Sequence, residues 1–287
     1  MTLKGRGIIV TGASQGLGFA VARACIAEGA HVLICARNAA EVASARTELQ
    51  NGAGADQRVA AVPADVSRAE DVARLFETAK RELPGIDGLV NNAGVYGPKG
   101  TLETVDAMEW WRAIEINLLG VVLCCQAVLP LFRAAGRGKI VNISGGGATA
   151  PLPGISAYAA SKAAVVRLTE TLAHETAGTG IDINAVAPGA LNTRLLDEVI
   201  AAGPGRVGET FYQRSLQQRE KGGTPLEKGA SLCVYLLSSA GDGISGRLIS
   251  AVWDPWSTLA SRREELNGTD IYTLRRIVPE DRGRKWE

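Results

Sequence analysis

The chain has 287 residues, of which 46% are hydrophobic and 21% charged, a globular composition that excludes a disordered chain. Its formal net charge of +1 gives no reason to expect nucleic acid or an anionic membrane as a partner. Residues 1–7 are too polar and too short for a secretory signal, and no uninterrupted apolar run is long enough to span a bilayer.

Five cysteines lack any spacing typical of a metal site or a redox motif. Most of them lie among apolar residues, so we interpret them as small core side chains in a reducing compartment. We therefore expect a soluble cytoplasmic protein without a bound metal and without a nucleic-acid or membrane partner. The five are Cys25, Cys35, Cys124, Cys125 and Cys233.

Short apolar runs alternate with longer amphipathic stretches along most of the chain. The runs, which we predict to be strands, are Gly7–Thr11, His31–Ala36, Val59–Ala64, Gly88–Asn91, Lys139–Ser144, Ile181–Val186 and Leu248–Val252. The predicted helices lie near 16–29, 38–52, 68–82, 106–135, 157–178 and 225–239. Strands that are apolar on both faces and alternate with helices are typical of a parallel sheet covered on each side. We predict an α/β fold of the Rossmann type, a doubly wound parallel β-sheet with helices on both faces.

We find no internal repeat and no linker, so we predict one domain over residues 1–256. Within it, residues 191–224 contain no predicted strand and suit a substrate lid. Residues 257–287 form a C-terminal extension of mixed charge, which favours a solvated and partly disordered end. The alternative is that its apolar residues dock it on the body or on another subunit. These residues are Ile271, Tyr272, Leu274, Ile277 and Val278.

The first predicted strand runs into a glycine-rich turn, residues 11–18, with the sequence TGASQGLG. Glycines at a turn from strand to helix let the backbone approach a phosphate, and the free amides of the helix start attract its charge. The turn therefore predicts a phosphate site at the carboxyl end of the first strand.

The turn is one of four motifs that occur together and in order. The others are Asn91-Asn92-Ala93-Gly94, Tyr158 with Lys162 four residues later, and Pro188-Gly189. Over about residues 4–250 this set resembles the short-chain dehydrogenase/reductase family. The resemblance implies a nicotinamide cofactor on a Rossmann sheet, a small-molecule carbonyl or alcohol substrate, and a homodimer or homotetramer.

The resemblance also implies roles for individual residues. Asp65 resembles the residue that meets the adenine ring, Asn91 resembles an asparagine that lines the cofactor cleft, and Thr193 resembles the threonine that binds the nicotinamide carboxamide. The full set of expected cofactor-binding residues is Gly12, Ser14, Gln15, Gly16, Leu17, Gly18, Arg37, Asp65, Val66, Asn91, Ala93, Gly94, Tyr158, Lys162, Pro188, Gly189 and Thr193.

The end of the second strand bears on which nicotinamide is bound. An acidic residue there would accept hydrogen bonds from the ribose hydroxyls and repel a 2′-phosphate, whereas this chain has Ala36 followed by Arg37. We therefore favour NADP over NAD. Gln15 stands where many NADP-preferring relatives carry a basic residue, which removes one supporting contact.

Tyr158 and Lys162 face the same side of a predicted helix, since they are four residues apart. We expect the lysine ammonium to lower the pKa of the phenol so that Tyr158 acts as acid and base. By resemblance, Lys162 also holds the nicotinamide ribose. Asn117 resembles the family's asparagine that anchors a water to the lysine.

A glycine stands where the family usually has a serine, thirteen residues before the tyrosine, at Gly145. That serine stabilises charge that develops on the substrate oxygen. In one interpretation Ser144 takes over the task, because the following glycines permit a shifted loop. In the other, Ser144 faces the wrong side of its strand and the Gly145 amide or a water is a weaker donor. We assign the role provisionally to Ser144.

We favour an NADP-dependent oxidoreductase that interconverts a secondary alcohol and a ketone. The alternatives are a catalytically weak protein whose cofactor serves regulation or assembly, and a dehydratase or epimerase that uses the cofactor transiently. Trp253 and Trp256 either roof a substrate pocket or pack the extension or a subunit contact.

Overall fold

A computed structural model describes residues 2–286. Its seven parallel strands form one sheet in the order β3-β2-β1-β4-β5-β6-β7. The strands are β1 Gly7–Thr11, β2 His31–Ala36, β3 Val59–Pro63, β4 Gly88–Asn91, β5 Gly138–Ile143, β6 Ile181–Ala187 and β7 Leu248–Ser250. All seven predicted strands are confirmed to within two residues at either end.

Eleven helices connect and follow the strands within residues 2–286. They are α1 Gly16–Ala27, α2 Ala39–Asn51, α3 Ala69–Glu82, α4 Ala107–Ile114, α5 Gly120–Ala135, α6 Ser156–Glu175, α7 Arg194–Ala202, α8 Pro204–Val207, α9 Glu209–Lys221, α10 Leu226–Leu237 and α11 Arg263–Leu266. Short 3₁₀ turns add to these, and one π-helical turn, Glu115–Leu119, joins α4 to α5.

The sheet separates two hydrophobic cores, as the doubly wound prediction requires. Neighbouring residues of β1 face opposite sides, so Ile8 and Val10 pack with α1, α2 and α10 while Ile9 packs with α3, α5 and α6. The chain order reverses at β1, which pairs with β2 on one side and β4 on the other. In such sheets the crevice at the carboxyl ends of the two strands is the expected ligand site.

The helical run Ala107–Ala135 is long and apolar enough to cross a membrane by length and composition. The run is not an uninterrupted apolar one, because it includes Glu115, Asn117 and Gln126. Core helices of soluble proteins share these properties, and α5 buries Val121, Val128 and Phe132 in the core on one face of the sheet. Length and composition alone carry no membrane assignment here.

The lid segment 191–224 has no strand, as predicted, but it contains the helices α7, α8 and α9, which were not predicted. Gly203 and Gly208 separate these helices with φ angles of 75° and 80°, values that favour glycine. The interruptions leave no single apolar periodicity long enough to indicate a helix from the sequence.

The C-terminal extension docks on the body, so the favoured picture of a solvated end is wrong for much of it. Leu259 and Leu266 are buried in the core next to α1 and α10. The backbone N–H of Leu248 in β7 donates to the carbonyl of Tyr272, at 2.8 Å. The extension therefore lies along the edge of the sheet at least as far as residue 274, beyond which Arg275, Arg276 and Ile277 are exposed.

Candidate active site

A cavity of about 1540 Å³ opens at the carboxyl ends of the strands. The walls come from the glycine loop, the ends of β2, β4, β5 and β6, the N-terminal half of α6 and the lid. The structure brings together most predicted site residues on this cavity: Gly12, Ser14, Gln15, Gly16, Leu17, Arg37, Asp65, Val66, Ala93, Gly94, Ser144, Tyr158, Lys162, Pro188, Gly189 and Thr193. Gly18, Asn91 and Asn117 lie behind its wall.

The glycine loop has the shape that a phosphate site needs. Gly12 has φ 62°, and a Cβ there would lie 2.7 Å from the Cα of Ala93, so only glycine fits. At Gly18 a Cβ would lie 2.4 Å from the side-chain nitrogen of Asn92. Gln15, the N-cap of α1, makes no side-chain cap hydrogen bond, which leaves the first amides of the helix available to an anion. The loop thus fits a dinucleotide phosphate.

Asn91 was predicted to line the cavity, but it does not. Its side chain is buried and donates to the Oδ1 of Asn142, at 2.9 Å. The next residue, Asn92, lines the cavity and donates to the carbonyls of Thr11 and Gly12, both at 2.9 Å. Since neighbouring strand residues face opposite ways, one position decides which asparagine reaches the cleft. Asn92 therefore fixes the glycine loop, and Asn91 supports the strands from below.

Asp65 lines the cavity together with Val66. Its carboxylate accepts a hydrogen bond from the Ser67 hydroxyl at 2.6 Å and forms an ion pair with Arg112, also at 2.6 Å. Burial by itself raises the pKa of Asp65, but the Ser67 hydrogen bonds and the charge of Arg112 outweigh it and lower the pKa overall. The carboxylate is therefore ionised and held in place.

Lys162 is 4% exposed, and its Nζ donates to the carbonyl of Ile143 at 2.8 Å. The Nζ lies 5.7 Å from the centre of the Tyr158 ring. Burial lowers the pKa of Lys162 from 10.5 to about 8. A Cβ on Gly94 would lie 3.6 Å from this Nζ and 3.2 Å from the Oδ1 of Asn117, so the glycine makes room for both.

The pKa of Tyr158 moves in the opposite direction from the sequence-based expectation. Burial raises the pKa of Tyr158 above its ordinary value, and the neighbouring Tyr96 raises it further. The two rings meet edge to face with centres 4.7 Å apart. Because burial is the largest cause of the raised pKa, Tyr158 is a protonated acid at neutral pH.

Asn117 lies in the π-helical turn between α4 and α5 and is fully buried. Its amide binds both backbone polar groups of Val95, each at 2.8 Å, and donates to Ser161 at 2.9 Å. The Ser161 hydroxyl donates to the carbonyl of Tyr158. Asn117 thus supports the helical turn that carries Tyr158, and π turns are frequent at functional sites.

Ser144 and Gly145 follow directly after β5. The Ser144 hydroxyl is buried and has no hydrogen-bond partner among residues 2–286, although the residue lines the cavity. Buried polar groups are normally paired, so this oxygen stands ready for a ligand or a water. A Cβ on Gly145 would lie 2.2 Å from the Tyr158 hydroxyl, so no side chain fits at 145 while the tyrosine stays where it is.

The two tryptophans lie in different surroundings, one packed against the body and one at the cavity. Trp256 packs its ring edge to face on Tyr235 and donates to the carbonyl of Ala251, so it holds the extension. Trp253 is 85% exposed and lines the cavity.

No group of three metal-binding side chains comes together within residues 2–286.

Comparisons with known proteins agree with this geometry. Residues 6–202 match the family model described as short chain dehydrogenase. The chain is 42% identical over 200 residues to 3beta-hydroxysteroid dehydrogenase 1 of Eggerthella lenta, covering 69% of this chain and 76% of that protein. It is 37% identical over 244 residues to cis-4-hydroxycyclohexanecarboxylate dehydrogenase of Sinomonas cyclohexanicum, covering 84% and 93%. The crystal structure of levodione reductase is similar with a TM-score of 0.79 at 28% identity, covering 90% of this chain and 99% of that one.

Proposed function

Because this chain belongs to the short-chain dehydrogenase/reductase family, we propose that it interconverts a secondary alcohol and a ketone with NADP, using Tyr158 as acid and base. The observation that carries the proposal is the Tyr158–Lys162 pair at the wall of the cavity that the glycine loop also lines. A phenol and an ammonium one helical turn apart, beside a phosphate-binding turn, suit proton transfer next to a bound dinucleotide.

Side chains of this protein donate and accept the proton. The bound cofactor supplies or accepts the hydride. In reduction, Tyr158 gives its phenolic proton to the carbonyl oxygen of the ketone, and in oxidation the phenolate takes the alcohol proton. Protonated Lys162 favours the phenolate that reduction leaves behind. Desolvation in the wall of the cavity makes such charge interactions stronger than they are in water.

We propose that Ser144 donates a hydrogen bond to the substrate oxygen. Its buried hydroxyl has no hydrogen-bond partner among the residues that the structure describes, which supports this role. A donor aimed at developing charge on the reacting oxygen is worth on the order of a hundred- to a thousand-fold in rate. The Gly145 backbone N–H is the competing donor and would be the weaker of the two.

The preference for NADP rests on the end of β2. Arg37 is exposed, lines the cavity and has no ion-pair partner among the described residues. A guanidinium pairs well with a phosphate dianion. Glu41 also lines the cavity, and its carboxylate accepts hydrogen bonds from Ser14 and Asn38, at 3.3 and 3.2 Å, which partly offset its charge next to a 2′-phosphate.

We further propose a ring-bearing secondary alcohol as the substrate class. Two of the similar proteins are named for hydroxyl groups on a steroid and on cyclohexanecarboxylate. The cavity exceeds the range of about 300–1000 Å³ usual for one small ligand, which leaves space for a ring system beside a dinucleotide.

We also propose a homodimer or homotetramer in the cytoplasm. Leu102, Met108 and Trp111 are large apolar side chains exposed on or just before α4, where a second copy would cover them. All five cysteines are buried and free, which suits a reducing compartment. Light scattering tests the assembly, and a monomeric mass would contradict it.

Mixing the protein with NADPH and a panel of ring ketones tests the activity through the loss of NADPH absorbance. We expect turnover with at least one ketone and slower turnover with NADH. Gly145 motivates the catalytically weak alternative, in which NADPH binds tightly but no ketone is reduced. A dehydratase or epimerase would convert its substrate without net consumption of NADPH.

A further inference from the structure

The chain beyond β7 contributes part of the cavity wall. Trp253 and Asp254 line it from the turn after the strand, and Tyr272 and Thr273 line it from the extension. All four lie outside residues 6–202, the part that matches the family model. This side of the wall is therefore formed by residues that follow the part matched by the family model.

Arg247 anchors the extension before it reaches the cavity. The residue is buried, and its guanidinium donates to the carbonyls of Thr269 and Ile271 at 2.9 and 2.7 Å and also to that of Leu266. A buried guanidinium needs partners for its donors, and the extension supplies three of them. Arg247 thus ties residues 266–271 to the edge of the sheet.

A second anchor follows immediately after the cavity. The buried carboxylate of Glu170 in α6 accepts the backbone N–H of Leu274 at 2.6 Å, and Arg167 donates to the Leu274 carbonyl. Tyr272 and Thr273 lie between the two anchors, and the Tyr272 carbonyl accepts from Leu248. The backbone that carries Tyr272 in the wall is therefore fixed by the fold before any substrate binds.

Trp253 and Tyr272 are the two aromatic residues that line this part of the cavity. Trp253 is 85% exposed and lines the cavity, so its ring is free to contact a ligand that enters there. Tyr272 is half-buried, with its ring against the core and the residue on the wall. Aromatic rings in a pocket bind the apolar body of a ligand, while a few polar groups fix its orientation.

We propose that Trp253 and Tyr272 determine specificity by binding the apolar ring system of a bulky substrate whose oxygen lies at Tyr158. The inference rests on the proposed function, since it concerns the substrate of the same site. It predicts discrimination by size: a fused-ring alcohol gains contact with the two rings, and a single-ring alcohol does not.

The test compares cyclohexanol with decahydronaphthol, each oxidised with saturating NADP⁺. Trp253→Ala removes one ring, and Tyr272→Gly removes the other without strain, because Tyr272 has φ 61°. We expect each change to raise KM for decahydronaphthol about tenfold, because a contact with an aromatic ring is lost. For cyclohexanol, KM and kcat should both stay unchanged. Dissociation constants for NADP⁺ should stay at the parent value.

Two matched controls separate ring contact from disturbance of the fold. Tyr272→Phe keeps the ring, and Trp286→Ala removes a 75% exposed tryptophan of the same extension that is not in the cavity wall. Both should behave like the parent. Equal changes in KM for the two alcohols, or no change for either, would overturn the assignment.

If the parent oxidises neither alcohol, the proposed function for ring alcohols fails, and binding decides the specificity question separately. Calorimetry then measures decahydronaphthalenone binding to the NADP⁺-loaded parent and to Trp253→Ala. Weaker binding by the variant supports the role of the ring. Equal binding, or no binding by the parent, overturns it.

Discussion

The hydroxyl of Tyr158 lies over the Cα of Gly145, so close that a Cβ on residue 145 would be 2.2 Å from it. The backbone at Gly145 is extended, with φ −178°, a conformation that any residue adopts. The obstacle to a side chain there is therefore the tyrosine itself. The family's usual serine position and this placement of the phenol exclude each other.

We expect Gly145→Ser to impair the enzyme rather than restore an ordinary site. The new side chain has to displace the Tyr158 hydroxyl, and misplacing a proton donor should lower kcat/KM by at least about tenfold. Gly146→Ser is the matched control, since a Cβ at Gly146 meets nothing within 4 Å. Steady-state kinetics of both variants provide the measurement, and faster turnover by Gly145→Ser would contradict this picture.

Ser144→Ala tests which hydroxyl stabilises the substrate oxygen. If Ser144 is the donor, kcat should fall on the order of a hundred-fold while NADPH binding is unchanged. Thr149→Val removes another hydroxyl-bearing residue of the same cavity and should be nearly neutral. The assignment fails if the serine variant keeps its kcat, or if the threonine variant is the one that loses it.

Arg37→Gln tests the choice of cofactor. Loss of a charged hydrogen bond to the 2′-phosphate should raise the dissociation constant of NADPH by roughly ten- to a hundred-fold and leave that of NADH unaffected. Arg23→Gln is the control, because Arg23 is an exposed arginine of α1 that pairs with Glu227 away from the cavity. Fluorescence titration gives the constants, and equal effects on both dinucleotides would refute the preference.

The buried Lys162 gives a prediction for stability against pH. Its pKa is about 8 in the folded protein and ordinarily 10.5, so between these values the unfolded chain binds more protons. Stability from this group therefore rises with pH across that window. Relative to Lys162→Met, the parent should gain about 3 kcal/mol in free energy of unfolding between pH 7 and pH 10.5. Urea unfolding of the two proteins at several pH values measures it; a difference that does not change with pH would count against a desolvated lysine.

Local pattern was enough to predict the strands of the sheet. Most strands are short apolar runs bounded by turns, so their type and limits depend on neighbouring residues. The helices of the lid were missed because Gly203 and Gly208 divide them into pieces too short to show a period.

Features that depend on distant contacts were harder to predict. The extension docks through Arg247, whose three carbonyl partners lie about twenty residues further along the chain and carry no sequence signal. The rise in the pKa of Tyr158 comes from burial and from Tyr96, a residue that no motif had indicated. We predicted that Asn91 lines the cleft, but its neighbour Asn92 does. The motif contains both asparagines, and only the alternation of side chains along the strand distinguishes them.

Proton transfer by Tyr158 is the claim on which the proposed function depends, and Tyr158→Phe tests it directly. The measurement is kcat for reduction of a ring ketone by NADPH, with Tyr212→Phe as a control outside the cavity wall. We expect Tyr158→Phe to bind NADPH normally and to lose at least about a hundred-fold in kcat, the usual worth of a general acid. Turnover by Tyr158→Phe at the parent rate would contradict the mechanism.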